Sequence, residues 1–445
     1  MKYKKSRYNV EIDHLDDGKI LMYNTFSGIF GIMDHDAQIL YDDIEKKDID
    51  TIDDQKQKDN FATMIKHGYV VDSELDELAA YKLRRSITRV NSNTLNLTIA
   101  PTMACNMRCP YCYENKSGAH MSADIQKRLI DFVEAHLTAH SNIKRMKVIW
   151  YGGEPLLQKN VIYNLTNKFL ELCGKFNVSY EAAIITNGSL LDRETAWKLY
   201  HDCAVRRAQI TIDGMAEIHN KRRIFADGAG SFDRIIRNID ACRSFMRIAI
   251  RMNIDKTNEG EIQHFLQFAI NEMKWIDNPY VYIAPVDSYT ENCSHRASLC
   301  FAVSEFAHVR NEFQKVNYSI HRNRVKHEFF PPRKYVYCTA EQMNNYVIDP
   351  DGYIYNCWMQ IGQTAQSSGH ISKPFLVTNR YYNWLSNELP SRCEQCVYLP
   401  MCSGGCGYFR VDKNGEPHCI GTYYTYKDTL RLAYQDYLHQ KKSKA

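Results

Sequence analysis

Between residues 94 and 284 the chain alternates short β-branched runs with amphipathic helices, which restricts it to a few folds. The runs are Thr94–Ala100, Lys147–Trp150, Glu181–Thr186, Ala208–Ile212, Arg247–Asn253 and Tyr280–Ala284. Each is apolar or β-branched enough to make a buried strand. Between them apolar residues recur at helical spacing: Ile125, Leu129, Phe132, Val133 and Leu137; then Ile162, Leu165, Phe169 and Leu172. Ile235, Ile236, Ile239 and Cys242 mark a third face, and Ile262, Phe265, Leu266 and Met273 a fourth. Repeated βα units predict a parallel sheet curled into a partial barrel. Such folds build their sites at the C-terminal ends of the strands. Gly152-Gly153-Glu154-Pro155 follows the second run, Thr186-Asn187-Gly188 closes the third, Asp213-Gly214 follows the fourth, and Arg251 and Asn253 end the fifth. Any one of these is an ordinary turn signal. With the loop after the first run they occupy five consecutive units, which turns alone do not explain.

That first loop carries Cys105-x3-Cys109-x2-Cys112. Three thiolates on one short loop can hold three corners of a cubane iron–sulfur cluster. The next cysteine is Cys173, so one iron is left open, and open metal positions are where chemistry happens. Structural zinc usually takes four ligands in two pairs. A second set runs Cys338-x13-Gly352-x4-Cys357, then Cys393-x2-Cys396-x5-Cys402-x3-Cys406-x12-Cys419. Cys393-x2-Cys396 alone suits a zinc knuckle. The odd total of fifteen cysteines, with no signal-peptide pattern after Met1, points to metal ligands in a cytoplasmic protein rather than disulfides. A net charge of +4 is too small to argue for nucleic acid, and no apolar stretch reaches membrane length.

The triad with Tyr111 before its third cysteine, together with the seven C-terminal cysteines, resembles the radical S-adenosylmethionine (SAM) enzymes that carry a SPASM extension. The resemblance covers about residues 94–425. It implies an α/β fold: a partial (β/α)6 barrel over 91–310, a SPASM domain over 311–445, and an N-terminal α+β domain over 1–90. It implies SAM and three [4Fe–4S] clusters as cofactors, the catalytic one on Cys105, Cys109 and Cys112. Gly152, Gly153 and Glu154 would meet the SAM amino group and Tyr111 its adenine. Asn187, Thr211, Asp213 and Arg251 would serve its ribose, its carboxylate or the pocket wall. His219 and Arg223 fit either the cavity or a surface helix. Cys393, Cys396, Cys402 and Cys419 would hold a distal auxiliary cluster, and Cys338, Cys357 and Cys406 a nearer one. The stretch Phe330–Tyr337 lacks the cysteine that sulfatase-maturating relatives place there. Either Cys293 or Cys300 completes the nearer set, or an open iron takes a substrate thiolate. Trp358 also stands where those relatives have an aspartate base.

The implied function is installation of intramolecular thioether cross-links, cysteine sulfur to carbon, in a ribosomally made precursor peptide, as in sactipeptide and ranthipeptide maturases. Carbon–carbon or carbon–oxygen cross-linking, sulfatase-type maturation and a peptide-binding electron carrier are the alternatives. The implied partners are a precursor peptide with an N-terminal leader and a flavodoxin- or ferredoxin-type electron donor, with no nucleic acid and no membrane.

Residues 1–90 read as strands Tyr8–Ile12, Ile20–Tyr23 and Gly28–Ile32, helices Asp36–Lys46 and Gln57–Lys66, and a returning strand Gly68–Val71. This pattern resembles the winged-helix-like elements that bind a leader peptide by strand addition; a structural cap is the other reading. The segment Asp72–Arg85 is expected to be a largely solvated linker helix, with Leu75 and Leu78 on one face.

Overall fold

A computed structural model describes residues 2–15, 18–46, 51–288, 290–321, 332–373, 378–413, 415 and 417–442. The chain divides into two compact units. One comprises Met1–Val90, Val303–Cys338 and Asn387–Ala445; the other comprises Asn91–Ala302 and Thr339–Ser386. The stretch 311–445 is thus shared between them. Phe330 and Pro331, the start of the cysteine-free stretch before Cys338, lie outside the described residues.

In the first unit, β2 (Asn9–His14), β3 (Ile20–Asn24) and β4 (Ile29–Met33) form an antiparallel sheet in that order. The helices α1 (His35–Asp42) and α2 (Gln55–Lys66) follow. Both start where an aspartate accepts from a first-turn amide: Asp34 from Ala37 and Asp54 from Gln57. Met22, Met33, Leu40, Phe61, Met64 and Tyr69 close the core between sheet and helices. The returning strand β5 (Val70–Asp72) pairs with β1 (Tyr3–Lys5). Three residues with two lysines give β1 no alternation to read, so it was not expected.

The helix α3 (Glu77–Val90) corrects the expectation of a solvated linker. Its buried face is Glu77, Tyr81, Arg85 and Arg89, while Leu83, Ile87 and Val90 are 63%, 48% and 57% exposed. Leu75 precedes the helix and is also exposed, whereas Leu78 packs against a core. The polar groups are buried because they have partners. Glu77 accepts from the Ser6 hydroxyl at 2.6 Å and the Arg7 amide at 2.9 Å. Two further clusters join the N-terminal residues to the C-terminal ones. Tyr8 and Tyr81 pack with Leu389, Cys393 and Leu399; Val10 and Tyr23 pack with Tyr398, Met401 and Leu430.

In the second unit all six expected barrel strands are present: β6 (Thr94–Ile99), β7 (Arg145–Trp150), β8 (Ser179–Thr186), β9 (Val205–Thr211), β10 (Arg247–Ile254) and β11 (Tyr280–Pro285). They lie side by side in chain order, each parallel to the next. The connections carry α4 (Ala123–Ala139), α5 (Lys159–Phe176), α6 (Arg193–His201), α7 (Ala216–Arg222), α8 (Phe232–Cys242) and α9 (Glu261–Gln267). Leu97, Val148, Ile184, Ile210 and Ile250 from the strands are buried, as are Leu129, Phe169, Ile239 and Phe265 from the helices. The sheet then extends in a way the sequence did not suggest. β12 (Asn345–Ile348) adds parallel to β6, and β13 (Tyr353–Tyr355) and β14 (Gly369–His370) follow antiparallel.

Candidate active site

The cysteine loop leaves β6 at Ala100 and is held by backbone as well as side-chain hydrogen bonds. The Met103 amide donates to Ala119 O at 3.0 Å, Arg108 N to Ile224 O at 2.9 Å, and Ala226 N to Asn106 O at 2.9 Å. The turn after β7 packs directly on it. Gly153 N donates to Thr102 O at 3.2 Å and Glu154 N to Ala104 O at 2.8 Å. That approach is why both residues are glycines. A Cβ on Gly152, whose φ is +107°, would lie 2.4 Å from Thr102 O; one on Gly153 would lie 2.4 Å from Ala104 O. Cys105, Cys109 and Cys112 are each half-buried on this strapped loop. Burial pushes the Cys105 thiol up, and it pushes Cys112 up to about 12.

Glu154 is fully buried at the end of β7. Its carboxylate accepts from the Thr186 hydroxyl at 2.7 and 2.9 Å, the Asn187 amide at 2.7 Å and the Leu156 amide at 3.0 Å. Burial raises its pKa above the usual carboxylate value against those donors. Its side chain therefore clasps the end of β7 to the end of β8. Asn187 continues the clasp into the cysteine loop, donating to Asn106 Oδ1 at 2.7 Å with its Nδ2 4.0 Å from Cys105 Sγ. Asn106 in turn donates to the Ser189 hydroxyl at 3.0 Å.

Tyr111 is buried, and its hydroxyl ends in a charged network rather than in open space. It donates to Asp213 Oδ2 and accepts from Arg223 Nη1 at 2.7 Å. The Arg222 guanidinium stands over its ring at 5.0 Å. Asp213 also accepts from the Asn253 amide at 3.0 Å and lies 3.6 Å from Arg222 Nε. Arg222 Nη1 bonds both Asp255 oxygens at 3.0 Å, and Arg296 reaches Asp255 at 3.3 Å. His219 and Arg223 are buried here, which settles them against the surface-helix reading. The Asp213 amide donates to His219 Nδ1 at 3.3 Å, so Nε2 carries the proton toward the Ser231 hydroxyl at 3.0 Å. Burial and then the two arginines hold the His219 pKa well below its usual value. Thr211 is buried at the end of β9, in register with Arg251, which is half-buried and donates to Asn253 Oδ1 at 2.7 Å.

The structure brings Cys105, Cys109, Cys112, Tyr111, Gly152, Gly153, Glu154, Asn187 and Asp213 around one loop. Sequence reasoning missed Asn106, Arg222 and Asp255. Asn106 lies inside the cysteine motif and Asp255 just past β10, where a strand-end search could have found them. Arg222 had no signal apart from its neighbour.

Residues 99–269 match the radical SAM superfamily. The domain belongs to that superfamily. A GTP 3',8-cyclase of Rhizobium etli is 30% identical over 178 residues, 39% of this chain and 47% of that protein. The chain thus spans about half the length of that relative. A cysteine-type anaerobic sulfatase-maturating enzyme of Clostridium novyi is 24% identical over 363 residues, 73% of this chain and 90% of that one. Among solved structures, native anSMEcpe with bound AdoMet superposes at TM-score 0.60 with 18% identity, covering 79% of this chain and 100% of that one. Streptococcus suis SuiB bound to precursor peptide SuiA superposes at 0.53 with 15% identity, covering 94% and 98%. These two likenesses are of fold.

The radical SAM domain's donor set fits the family's cluster: three sulfurs on one loop that neighbouring backbone holds in place. Among the described residues no three His, Cys, Asp or Glu side chains converge on a point as the ligands of one ion would. In a cubane each thiolate takes a different iron, so its sulfurs stand apart. When bound to Cys105, Cys109 and Cys112, a cluster with SAM would supply one-electron chemistry able to remove a hydrogen atom from carbon.

Of the C-terminal cysteines, Cys393, Cys396, Cys402 and Cys419 gather in the first unit. Burial pushes Cys393 and Cys402 up to about 11; the Cys396 and Cys419 sulfurs add to both shifts, and Cys393 adds to that of Cys402. Arg392 Nη2 lies 3.3 Å from Cys419 Sγ. Cys338 and Cys406 also lie in the first unit, and Cys357 in the second. Cys293 is fully buried, its thiol directed at Asp287 O and Thr290 O, both at 3.4 Å. Cys300 is half-buried, 3.5 Å from Arg296 O. Trp358 packs its ring 5.3 Å from Tyr151 and donates to Thr98 Oγ1 at 3.1 Å. Among the described residues no helix is long and apolar enough to cross a membrane.

Proposed function

We propose that the chain is a peptide-modifying radical SAM enzyme that closes thioether links between a cysteine sulfur and a carbon of another residue in a ribosomally made precursor. What supports this reading is that Cys393, Cys396, Cys402 and Cys419 lie in one compact unit outside the radical SAM domain, with Cys396 and Cys419 near enough to Cys393 and Cys402 to add to their raised pKa values. Four such thiols would suit an auxiliary [4Fe–4S] cluster, a sink for the electron that cross-linking releases. The likeness to SuiB, which was solved with its precursor peptide, supports a peptide substrate. In the first unit β2 and β4 are each paired on one side only among the described residues, which suits a leader peptide added as a strand. A flavodoxin- or ferredoxin-type protein is the proposed electron donor.

The chain's own part is positional. The strapped loop, the glycine turn and Glu154 keep the triad, Asn187 and Tyr111 in fixed relation. A second reading, sulfatase-type maturation, is favoured by the Clostridium novyi relative. Trp358 weighs against it, because an indole locked between Tyr151 and Thr98 cannot take a proton as an aspartate would.

The test is anaerobic incubation of the reconstituted chain with SAM, a reductant and a cysteine-containing precursor from a neighbouring reading frame. Expected are 5'-deoxyadenosine and a product lighter by about two hydrogens that resists thiol alkylation. A product with an oxidised side chain and a free thiol would move the assignment to sulfatase-type chemistry.

A further inference from the structure

The strand β10 has two unlike faces. Ile248, Ile250, Met252 and Ile254 are buried, while Ala249, Arg251 and Asn253 between them are half-buried. The half-buried set belongs to the inner face of the curled sheet. Two cross-strand rows run over that face: Thr211, Arg251 and Tyr282, and one step nearer the strand starts, Gln209, Ala249 and Tyr280. Ala249 is small, so the Tyr282 hydroxyl crosses it and donates to Gln209 Oε1 at 2.6 Å. The Tyr280 and Tyr282 rings stack with centroids 5.6 Å apart and planes 12° apart. Tyr280 is 58% exposed, on a strand paired on one side only among the described residues. An aromatic wall therefore leads from the open edge of the sheet to Arg251.

Arg251 is held in place but not neutralised. Its Nε donates to Asn253 Oδ1 at 2.7 Å. Its guanidinium stands beside the Tyr282 hydroxyl: burial raises that phenol, and the Arg251 charge and hydrogen bond oppose the rise. Neither an amide nor a protonated phenol supplies a counter-charge. Other arginines near the strand ends have one: Arg222 bonds Asp255 at 3.0 Å and Arg296 reaches it at 3.3 Å. Among the described residues Arg251 makes no ion pair. Asp213 and Glu154 are already taken, the first by Tyr111 and the Asn253 amide, the second by Thr186, Asn187 and Leu156. A half-buried guanidinium fixed by two neutral partners is a ready fork for a carboxylate from outside the chain. Because it is already oriented, little ordering cost opposes that pairing.

We propose that Arg251 is a specificity-determining residue that pairs with an Asp or Glu side chain of the peptide segment being modified, with Tyr280 and Tyr282 as the wall along which that segment lies. Tyrosine suits such a wall, since it offers broad contact area and a polar tip at little entropic cost. The inference rests on the reading of the chain as a peptide-modifying enzyme and not on which bond it makes.

The test is a binding cycle on the full reconstituted chain, held anaerobically with SAM and without reductant so that nothing turns over. The probe is the fluorescently labelled precursor of the neighbouring reading frame. Beside it stand forms with each Asp or Glu changed singly to Asn or Gln, and one with an amidated C-terminus. With wild type, one acid-to-amide change is expected to weaken binding about tenfold. Arg251→Gln is expected to bind the unchanged precursor about tenfold more weakly and to make that same change neutral, with Arg251→Lys recovering part of the loss. A wild-type chain indifferent to every acidic side chain would overturn the proposal, as would sensitivity to the C-terminal amide alone. Losses that add instead of overlapping would also overturn it, because the arginine would then act through the fold. A Gln variant that binds precursor like wild type but holds SAM more weakly would overturn it by giving Arg251 to the SAM carboxylate. A precursor held through Arg251 yet modified with its thiol left free supports this inference while removing the thioether reading.

Discussion

A methyl group on Gly153 would sit 2.4 Å from the carbonyl oxygen of Ala104, a backbone atom that cannot step aside without moving the cysteine loop. Gly153→Ala is therefore expected to cost about 1–3 kcal/mol or more in urea unfolding and to reduce iron uptake on reconstitution. Glu154→Gln probes the clasp beside it. An amide replaces one acceptor oxygen with a donor facing the Thr186 hydroxyl and the Asn187 and Leu156 amides. A loss of about 1–3 kcal/mol is expected; unchanged stability would show that the clasp carries nothing. These residues were visible in the sequence as motifs, but their partners were not. Gly-Gly-Glu after a strand identifies a strand-end site. Only the fold shows that its two glycines serve backbone packing and its glutamate serves three donors. The Tyr111 hydroxyl was illegible for the same reason: it meets Asp213 and Arg223 across more than a hundred residues of chain.

Whole elements were easier to read where burial is one-sided and continuous. The six barrel strands stand where apolar runs put them, because both faces of a parallel strand are covered. β12 is only Asn345–Ile348, and it joins β6 through pairing no local pattern encodes. Periodicity misled at α3, where polar groups are buried and apolar ones exposed. Arg85 reaches Tyr335 O at 3.5 Å and Asn387 Oδ1 at 3.3 Å. Arg85→Ala is expected to destabilise the first unit by about 1–3 kcal/mol, whereas Leu83→Ser should stay within about 0.5 kcal/mol; chemical denaturation of the two variants compares them. On α4, His136 stacks 4.2 Å from His140 and bonds Asn344 Oδ1 at 3.1 Å. Burial first, and the His140 charge next, push it down to about 4. The folded value lies below the unfolded one of about 6.5, so the unfolded chain binds the proton first as pH falls. The contribution is whole above about pH 6.5 and is lost by about pH 4, amounting to about 3 kcal/mol. The fall in urea midpoint over this window should be steeper in wild type than in His136→Gln.

Across the whole molecule, the N-terminal ninety residues are not a detachable module. Tyr8, Val10, Tyr23 and Tyr81 lie in the same cores as Leu389, Cys393, Leu399, Met401 and Leu430. A sequence reading sees composition change along the chain; it does not see a C-terminal segment folding back to share the first segment's core. The consequence is a prediction about iron. Deleting residues 1–90 would expose the apolar faces on which Cys393 and its neighbours rest. The truncated chain should therefore lose about four irons, those of the auxiliary cluster proposed for Cys393, Cys396, Cys402 and Cys419. The second unit keeps its own nine-stranded sheet and its own cysteine loop. Reductive SAM cleavage should accordingly persist with iron from the Cys105–Cys112 site, while modification of the precursor stops. Anaerobic reconstitution, iron counting and a 5'-deoxyadenosine assay on the truncated chain decide it. Full wild-type iron after the deletion would mean that the distal cysteines hold their cluster without the shared core.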